Sequence, residues 1–164
     1  KYRKYGAEKE TTMKLEPYCG KLTNKRWYAL FNYPNKGHFI TLSLDRIQEI
    51  SLTDERFIMD PEFDAASYYK RCYGIINDDF YPVEKVRFRA YAQEAYFQRD
   101  LPLHSSQVAV EVTDGYTDYE LELKITYDFI TPLIARGPFI KVLSPDWLAD
   151  EVREAHLAAA QLYK

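Results

Sequence analysis

Cysteine is scarce, with only Cys19 and Cys72 in 164 residues. Two thiols make neither a disulfide framework nor a four-ligand zinc site, and both sit among apolar neighbours, so they read as small buried hydrophobes. Histidine is equally thin: His38, His104 and His156 are scattered without ligand spacing, and no metal is expected. No apolar run approaches the roughly 20 residues that span a bilayer, and no signal peptide is visible. The expectation is a cytoplasmic protein with no membrane partner. Catalytic signatures are missing too: no nucleophile beside a base, no paired carboxylates, no phosphate-binding glycine loop. Ser105-Ser106 next to His104 comes nearest, but a vicinal His and Ser point in different directions on a strand and no acid orients them. His104–Gln107 reads as a structural turn, and Asp78-Asp79 as solvated loop carboxylates. Neither an enzyme nor a cofactor is expected.

What the chain does have is aromatic side chains, 15 Tyr and nine Phe, within a 46% hydrophobic composition ample for a packed core. Its net charge of −3 hides an asymmetry. Residues 1–53 carry ten Lys and Arg against five Asp and Glu, and residues 54–164 carry twelve against twenty. An acidic whole argues against sequence-independent coating of nucleic acid, while a basic first third leaves room for a local anionic site. Charged strand edges that merely prevent aggregation would give the same asymmetry.

The basic third is organised around Pro17–Phe31, two apolar runs joined at a Thr23-Asn24 turn signal with Lys21, Lys25 and Arg26 around the bend. Alternation puts Arg26, Tyr28 and Leu30 on one face of the second run and Trp27, Ala29 and Phe31 on the other. A guanidinium beside a phenol suits a planar, anionic ligand, because Arg forks onto phosphate and stacks on flat rings. Trp27, opposite Arg26, is expected to bury.

Lys1–Tyr5, Thr11–Leu22, Lys25–Tyr33, Phe39–Leu44 and Ile47–Leu52 make about five short strands with tight connections, the pattern of a small barrel. Pro17 belongs at an edge, bend or bulge, since it has no N–H for the ladder. Asp64 is a candidate N-cap for a helix over Ala65–Cys72, and Ile75–Pro82 is a connector. Strands over Glu84–Tyr91, Gln107–Val112, Tyr119–Ile125 and Phe139–Leu143 then interleave with helices over Gln93–Asp100 and Asp128–Ala135. This β-α-β-β-α-β order is that of a ferredoxin-like sandwich. A last helix, Pro145–Leu162, follows with Ser144 as its expected N-cap. The fold class is α+β.

Arg26-Trp27-Tyr28-Ala29-Leu30, preceded by Glu16-Pro17-Tyr18 and followed by Leu42-Ser43-Leu44-Asp45-Arg46-Ile47, resembles the WYL domain of bacterial transcriptional regulators. The usual forms there are PY-x-L, RWYL and F-R-L-D-R-I, and all three motifs come in order. Asp54-Glu55-Arg56-Phe57, Phe63-Asp64 and Leu103-His104-Ser105-Ser106-Gln107 resemble the linker and C-terminal extension of those proteins, often called WCX. Gly20 and Ala29 depart from the usual Leu, and Ser43 stands where many members carry a ligand-facing Arg. The resemblance implies an Sm-like, SH3-type barrel over residues 1–58, a helical linker over 59–82 and the extension over 83–164.

It also implies a function: an effector-sensing and dimerisation part of a regulator, binding single-stranded nucleic acid or a nucleotide. Lys21, Arg26 and Arg46 would neutralise phosphates while Tyr18 and Tyr28 stack on bases. Trp27 and Asp45 are signature residues, and Asp45 and Arg46 would serve equally as a structural clasp at the strand junction. The chain opens at Lys1 without Met, so an N-terminal part is expected to precede it, a winged helix-turn-helix by resemblance. A homodimer is expected through residues 83–164, with an open sheet face covered by part of the set Phe88, Tyr91, Tyr119 and Tyr127, since alternation places Phe88 opposite Tyr91 and the same aromatics would serve equally to pack under the two helices. A ligand-free dimerisation scaffold and an Sm-like RNA-binding module are the alternatives.

Overall fold

The computed structural model describes residues 1–163 and divides the chain into two compact units, residues 1–68 and residue 69 onward. The described chain is α+β, with one antiparallel sheet of three strands and one of four.

In the first unit β1 (Glu16–Thr23), β2 (Arg26–Tyr33) and β3 (His38–Ser43) form an antiparallel sheet in sequence order. Thr23 pairs with Arg26, so the hairpin loop is Asn24-Lys25, one residue later than the sequence signal. Both residues have positive φ, 48° and 62°, as a two-residue hairpin matching the strand twist requires. Asn tolerates that region, but Lys does so against its Cβ. Lys25→Gly is therefore expected to raise stability by about 0.5–1 kcal/mol, readable as a higher urea midpoint. Pro17 lies on the edge strand at a bulge between Pro17 and Cys19, where its missing N–H leaves no gap in the ladder.

Two of the five expected strands do not form. Lys1–Tyr5 contributes only single bridges, from Tyr2 to Thr11 and to Ile47, and Ile47–Leu52 has no ladder beyond that point. The apolar residues of the second segment find nothing to pack on: Ile50 is 76% exposed and Leu52 96%. The described residues accordingly form no closed barrel. Tyr2, Leu30 and Leu42 are the buried apolar residues on and beside the sheet, while Tyr18, Phe39, Phe57, Phe63 and Tyr68 pack edge-to-face and tilted as an aromatic cluster.

Asp64 caps α1 (Ala65–Tyr69) as expected, its carboxylate accepting the N–H groups of Ala66 (3.3 Å) and Ser67 (2.8 Å). Those bonds hold its pKa below the ordinary value. The helix stops three residues short of Cys72. Arg71 and Cys72 instead run beside Lys124, whose N–H donates to the Arg71 carbonyl at 2.7 Å.

The second unit runs β4 (Val83–Tyr91), α2 (Gln93–Asp100), β5 (Val108–Val112), β6 (Tyr116–Lys124), α3 (Tyr127–Ala135), β7 (Ile140–Ser144) and α4 (Asp146–Gln161). This is the expected element order, and the sheet order is β5-β6-β4-β7 with every neighbour antiparallel. Period-two alternation sorts β4 cleanly. Val86, Phe88 and Ala90 enter a core shared with Phe129, Leu133 and Leu148, while Arg87, Arg89 and Tyr91 take the other face. This corrects the expected aromatic interface: Phe88 and Tyr119 are core residues, their rings stacked at 5.5 Å, because both lie on the helix side of the sheet. The N-cap of α4 is Pro145 rather than Ser144, which is still paired with Arg87 as the last residue of β7.

Candidate ligand site

Three elements bring cationic and aromatic side chains together in the first unit. Arg26 opens β2, Arg46 ends the short 3₁₀ turn Leu44–Arg46 after β3, and Tyr5 comes from the N-terminal segment. The Arg46 guanidinium lies 3.8 Å from the centroid of the Tyr5 ring and 5.1 Å from that of Tyr2. Arg26 approaches the Tyr5 ring at 5.6 Å and the Tyr28 ring at 5.7 Å. Two like charges therefore approach one phenol ring, whose quadrupole attracts each of them, and Tyr5 remains 76% exposed.

Arg26 is not a free cation. Its Nε and Nη2 donate to the two Asp45 carboxylate oxygens at 2.9 and 2.6 Å, a bidentate pair. The Arg26 fork holds the Asp45 carboxyl below its usual range, and Asp45 in turn raises the guanidinium pKa. Arg46 is tied differently, through Nε to the Arg3 carbonyl at 3.0 Å, and its Nη2 is enclosed without a hydrogen-bond partner. The clasp reading of Asp45 thus matches what Asp45 contacts, although it closes on Arg26 rather than on a turn.

Of the remaining expected ligand residues, Lys21 pairs across the hairpin with Tyr28, and Tyr28 in turn with Ser43. Both therefore lie on the Arg26 face. Tyr18 does not. It sits at the bulge, about 14 Å along the strands from Arg26 at 3.4 Å per residue. Its ring is enclosed by Phe39, Phe57 and Phe63, and its hydroxyl accepts the Asp60 N–H at 3.4 Å. The bulge turns Tyr18 into the aromatic cluster, so it belongs to packing here. Trp27 also departs from expectation: it is 54% exposed and lies over Gly20, where a Cβ would stand 3.6 Å from the indole.

Tyr5 and Tyr2 are not singled out by the sequence, in which Lys1–Tyr5 reads only as a strand. The alternation of Tyr with Lys and Arg there was the available signal. Ser43 is buried, its hydroxyl 3.1 Å from the Tyr2 hydroxyl, so the position where an Arg is usual serves the core. A recess of about 370 Å³ lined by Leu44, Ile47, Gln48, Glu49 and Ile50 offers an anion no cation, since Glu49 is its one charged wall. The His104 segment is structural: the Ser106 hydroxyl donates to the Glu122 carbonyl at 3.0 Å and accepts the Glu122 N–H at 2.9 Å, prolonging the β5–β6 ladder. The described residues contain no cluster of three metal-ligating side chains and no helix long and apolar enough to cross a membrane.

A small antiparallel β unit thus brings two arginines to one exposed tyrosine. Residues 1–52 match the family model of the WYL domain. Among solved structures, the chain is similar to proteasome accessory factor B/C (PafBC) of Arthrobacter aurescens at 18% identity and a TM-score of 0.38. The match covers 92% of this chain and 23% of that one, so the chain spans about a quarter of that protein's length.

Proposed function

We propose that the WYL segment is the effector-sensing part of a bacterial transcriptional regulator and binds single-stranded nucleic acid or a nucleotide to control an attached N-terminal DNA-binding domain. The observation that carries this reading is the convergence of Arg26 and Arg46 on the exposed Tyr5 ring. A phosphate would take the place of the Asp45 carboxylate in the Arg26 fork, and a base would stack on Tyr5 or Tyr28, with Lys21 adding charge. Asp45 then acts as an internal anion that holds Arg26 in position until the ligand competes. Within this reading the first unit is an open variant of the Sm-like barrel over residues 1–58. Residues 59–82 are its linker, and residues 83–164 form a ferredoxin-like extension.

Fluorescence anisotropy with a short labelled oligonucleotide tests it, with affinity expected to fall steeply as salt is added because phosphate contacts release counterions. Arg26→Ala should weaken binding about tenfold or more, the scale for losing a charge-assisted bond. Asp45→Asn should strengthen it severalfold by removing the competing charge while keeping the shape. Absence of binding at low salt would remove the nucleic-acid reading. The buried Ser43–Tyr2 contact favours the second reading, a dimerisation scaffold without ligand. That reading leaves Asp45→Asn without effect on any oligonucleotide.

A further inference from the structure

Arg26 and Arg46 differ in what each guanidinium still needs. The Arg26 fork of Nε and Nη2 is filled by the two Asp45 carboxylate oxygens, at 2.9 and 2.6 Å. Arg46 uses its Nε on the Arg3 carbonyl at 3.0 Å, and its Nη2 is enclosed with no hydrogen-bond partner. An enclosed donor on a charged group is costly to leave unpaired, because the water it has lost is replaced by nothing. The site is therefore one acceptor short. Tyr5 joins the two cations, its ring centroid standing 3.8 Å from the Arg46 guanidinium and 5.6 Å from that of Arg26. Its ring is the cover over Arg46, and its exposure leaves it room to swing aside. The Asp45 side chain, 58% exposed, can likewise turn out into water when another anion competes.

We propose that this pair of arginines selects a terminal phosphomonoester, the end of a nucleic-acid strand or a nucleoside monophosphate, over the internal phosphodiesters of a strand. This narrows the ligand class of the effector reading above, on which it rests. Oxygen count carries the distinction. A diester has two non-bridging oxygens, and the Arg26 fork takes both, as it now takes both oxygens of Asp45. Nothing is then left for Arg46. A monoester has three terminal oxygens, so two fill the fork while the third reaches the enclosed Nη2 once Tyr5 has moved. Charge acts in the same direction. A diester entering the fork only exchanges one single negative charge for that of Asp45, whereas a monoester brings about −1.5 to −2 near pH 7. The cations Lys21, Arg26 and Arg46 on this face outnumber the one carboxylate of Asp45, and the second charge is the one that meets the excess.

Three single strands of one sequence, each labelled at the 3′ end, test this by fluorescence anisotropy with the native chain. One carries a 5′-phosphate, one the methyl ester of that phosphate and one a 5′-hydroxyl. The methyl ester keeps the phosphorus and one negative charge but only two free oxygens. The 5′-phosphate strand is expected to bind about tenfold or more tighter than either of the others, the scale of one added charge-assisted hydrogen bond. Arg46→Gln should bring the three strands within about twofold of one another, while Asp45→Asn should strengthen all three and keep the preference. If Arg46→Gln disturbs the segment that Arg46 holds through the Arg3 carbonyl, the native comparison decides alone. Equal affinity for the phosphate and its methyl ester overturns the proposal and leaves the effector reading standing, as does a preference that survives Arg46→Gln. No binding of any strand at low salt removes both.

Discussion

Asp118→Ala is expected to cost the second unit about 3 kcal/mol, the lower end of what breaking a buried ion pair costs, and to lower its melting temperature by about 15 °C. Asp118 is fully buried yet lies on the face of the sheet away from the helices. Arg89 covers it with bonds of 2.7 and 3.1 Å, and Arg87 adds one of 2.8 Å. Removing the carboxylate leaves two neighbouring guanidiniums on β4 with only Glu111 between them and a net positive charge. The lower end applies because both arginines reach water and can be partly solvated. The same geometry sets a pH dependence. The Arg89 bond, then Arg87, holds the Asp118 pKa below its ordinary value against the opposing effect of burial. A lowered folded-state pKa makes the contribution complete above the unfolded value near 3.9, and it is lost as pH falls through that value toward the folded one. Urea unfolding of the native chain should therefore weaken below about pH 4, and the Asp118→Ala chain should lack that component of the slope. Equal pH dependence in the two would place the acid sensitivity elsewhere.

How much of this was legible in the sequence differs between the units. In the second, alternation and helical spacing gave every element in order, because β4 and β6 each bury one face only, and period two survives in their sequences. Alternation separates Phe88 from Tyr91, and of the two faces it is that of Phe88 and Tyr119 that forms the core, since periodicity separates two faces without saying which one the helices cover. In the first unit Ile47–Leu52 alternates like a strand but bridges only at Ile47, opposite Tyr2, and strand propensity reports fit to a pleated, half-buried surface rather than pairing itself. The candidate site was partly legible. Arg26, Tyr28 and Arg46 came from motif and alternation, and the pairing of Arg26 with Asp45, 19 residues apart, is a tertiary fact that no local pattern carries. Tyr18 was misplaced for a definite reason: a bulge shifts parity by one residue, and Pro17 signalled a bulge without fixing which side chain it would turn.

Gly74→Ala is expected to be as damaging as loss of Asp118, about 3 kcal/mol, although Gly74 needs no unusual backbone angle. The reason is space. A Cβ there would fall inside contact distance of Asp128 Oδ2 and 3.0 Å from its Cγ. Asp128 has little freedom to move aside: its Oδ2 accepts the Ile75 N–H at 3.0 Å and its Oδ1 accepts the Thr126 hydroxyl. The added methyl must therefore displace a carboxylate that ties residues 74–75 to the first turn of α3. The cost combines overpacking, about 1–3 kcal/mol, with loss of hydrogen bonds to a charged group, about 1.5–3 kcal/mol each at most. A double-mutant cycle separates these terms. Asp128→Ala alone should cost about 1–3 kcal/mol, since it leaves the Ile75 N–H and the fully buried Thr126 hydroxyl unpartnered. In the Asp128→Ala background the Gly74→Ala methyl finds room, so the second substitution should add under about 1 kcal/mol and the pair should fall well short of additivity. Strict additivity in urea unfolding would mean that the carboxylate yields to the methyl, and that Gly74 is held by something other than Asp128.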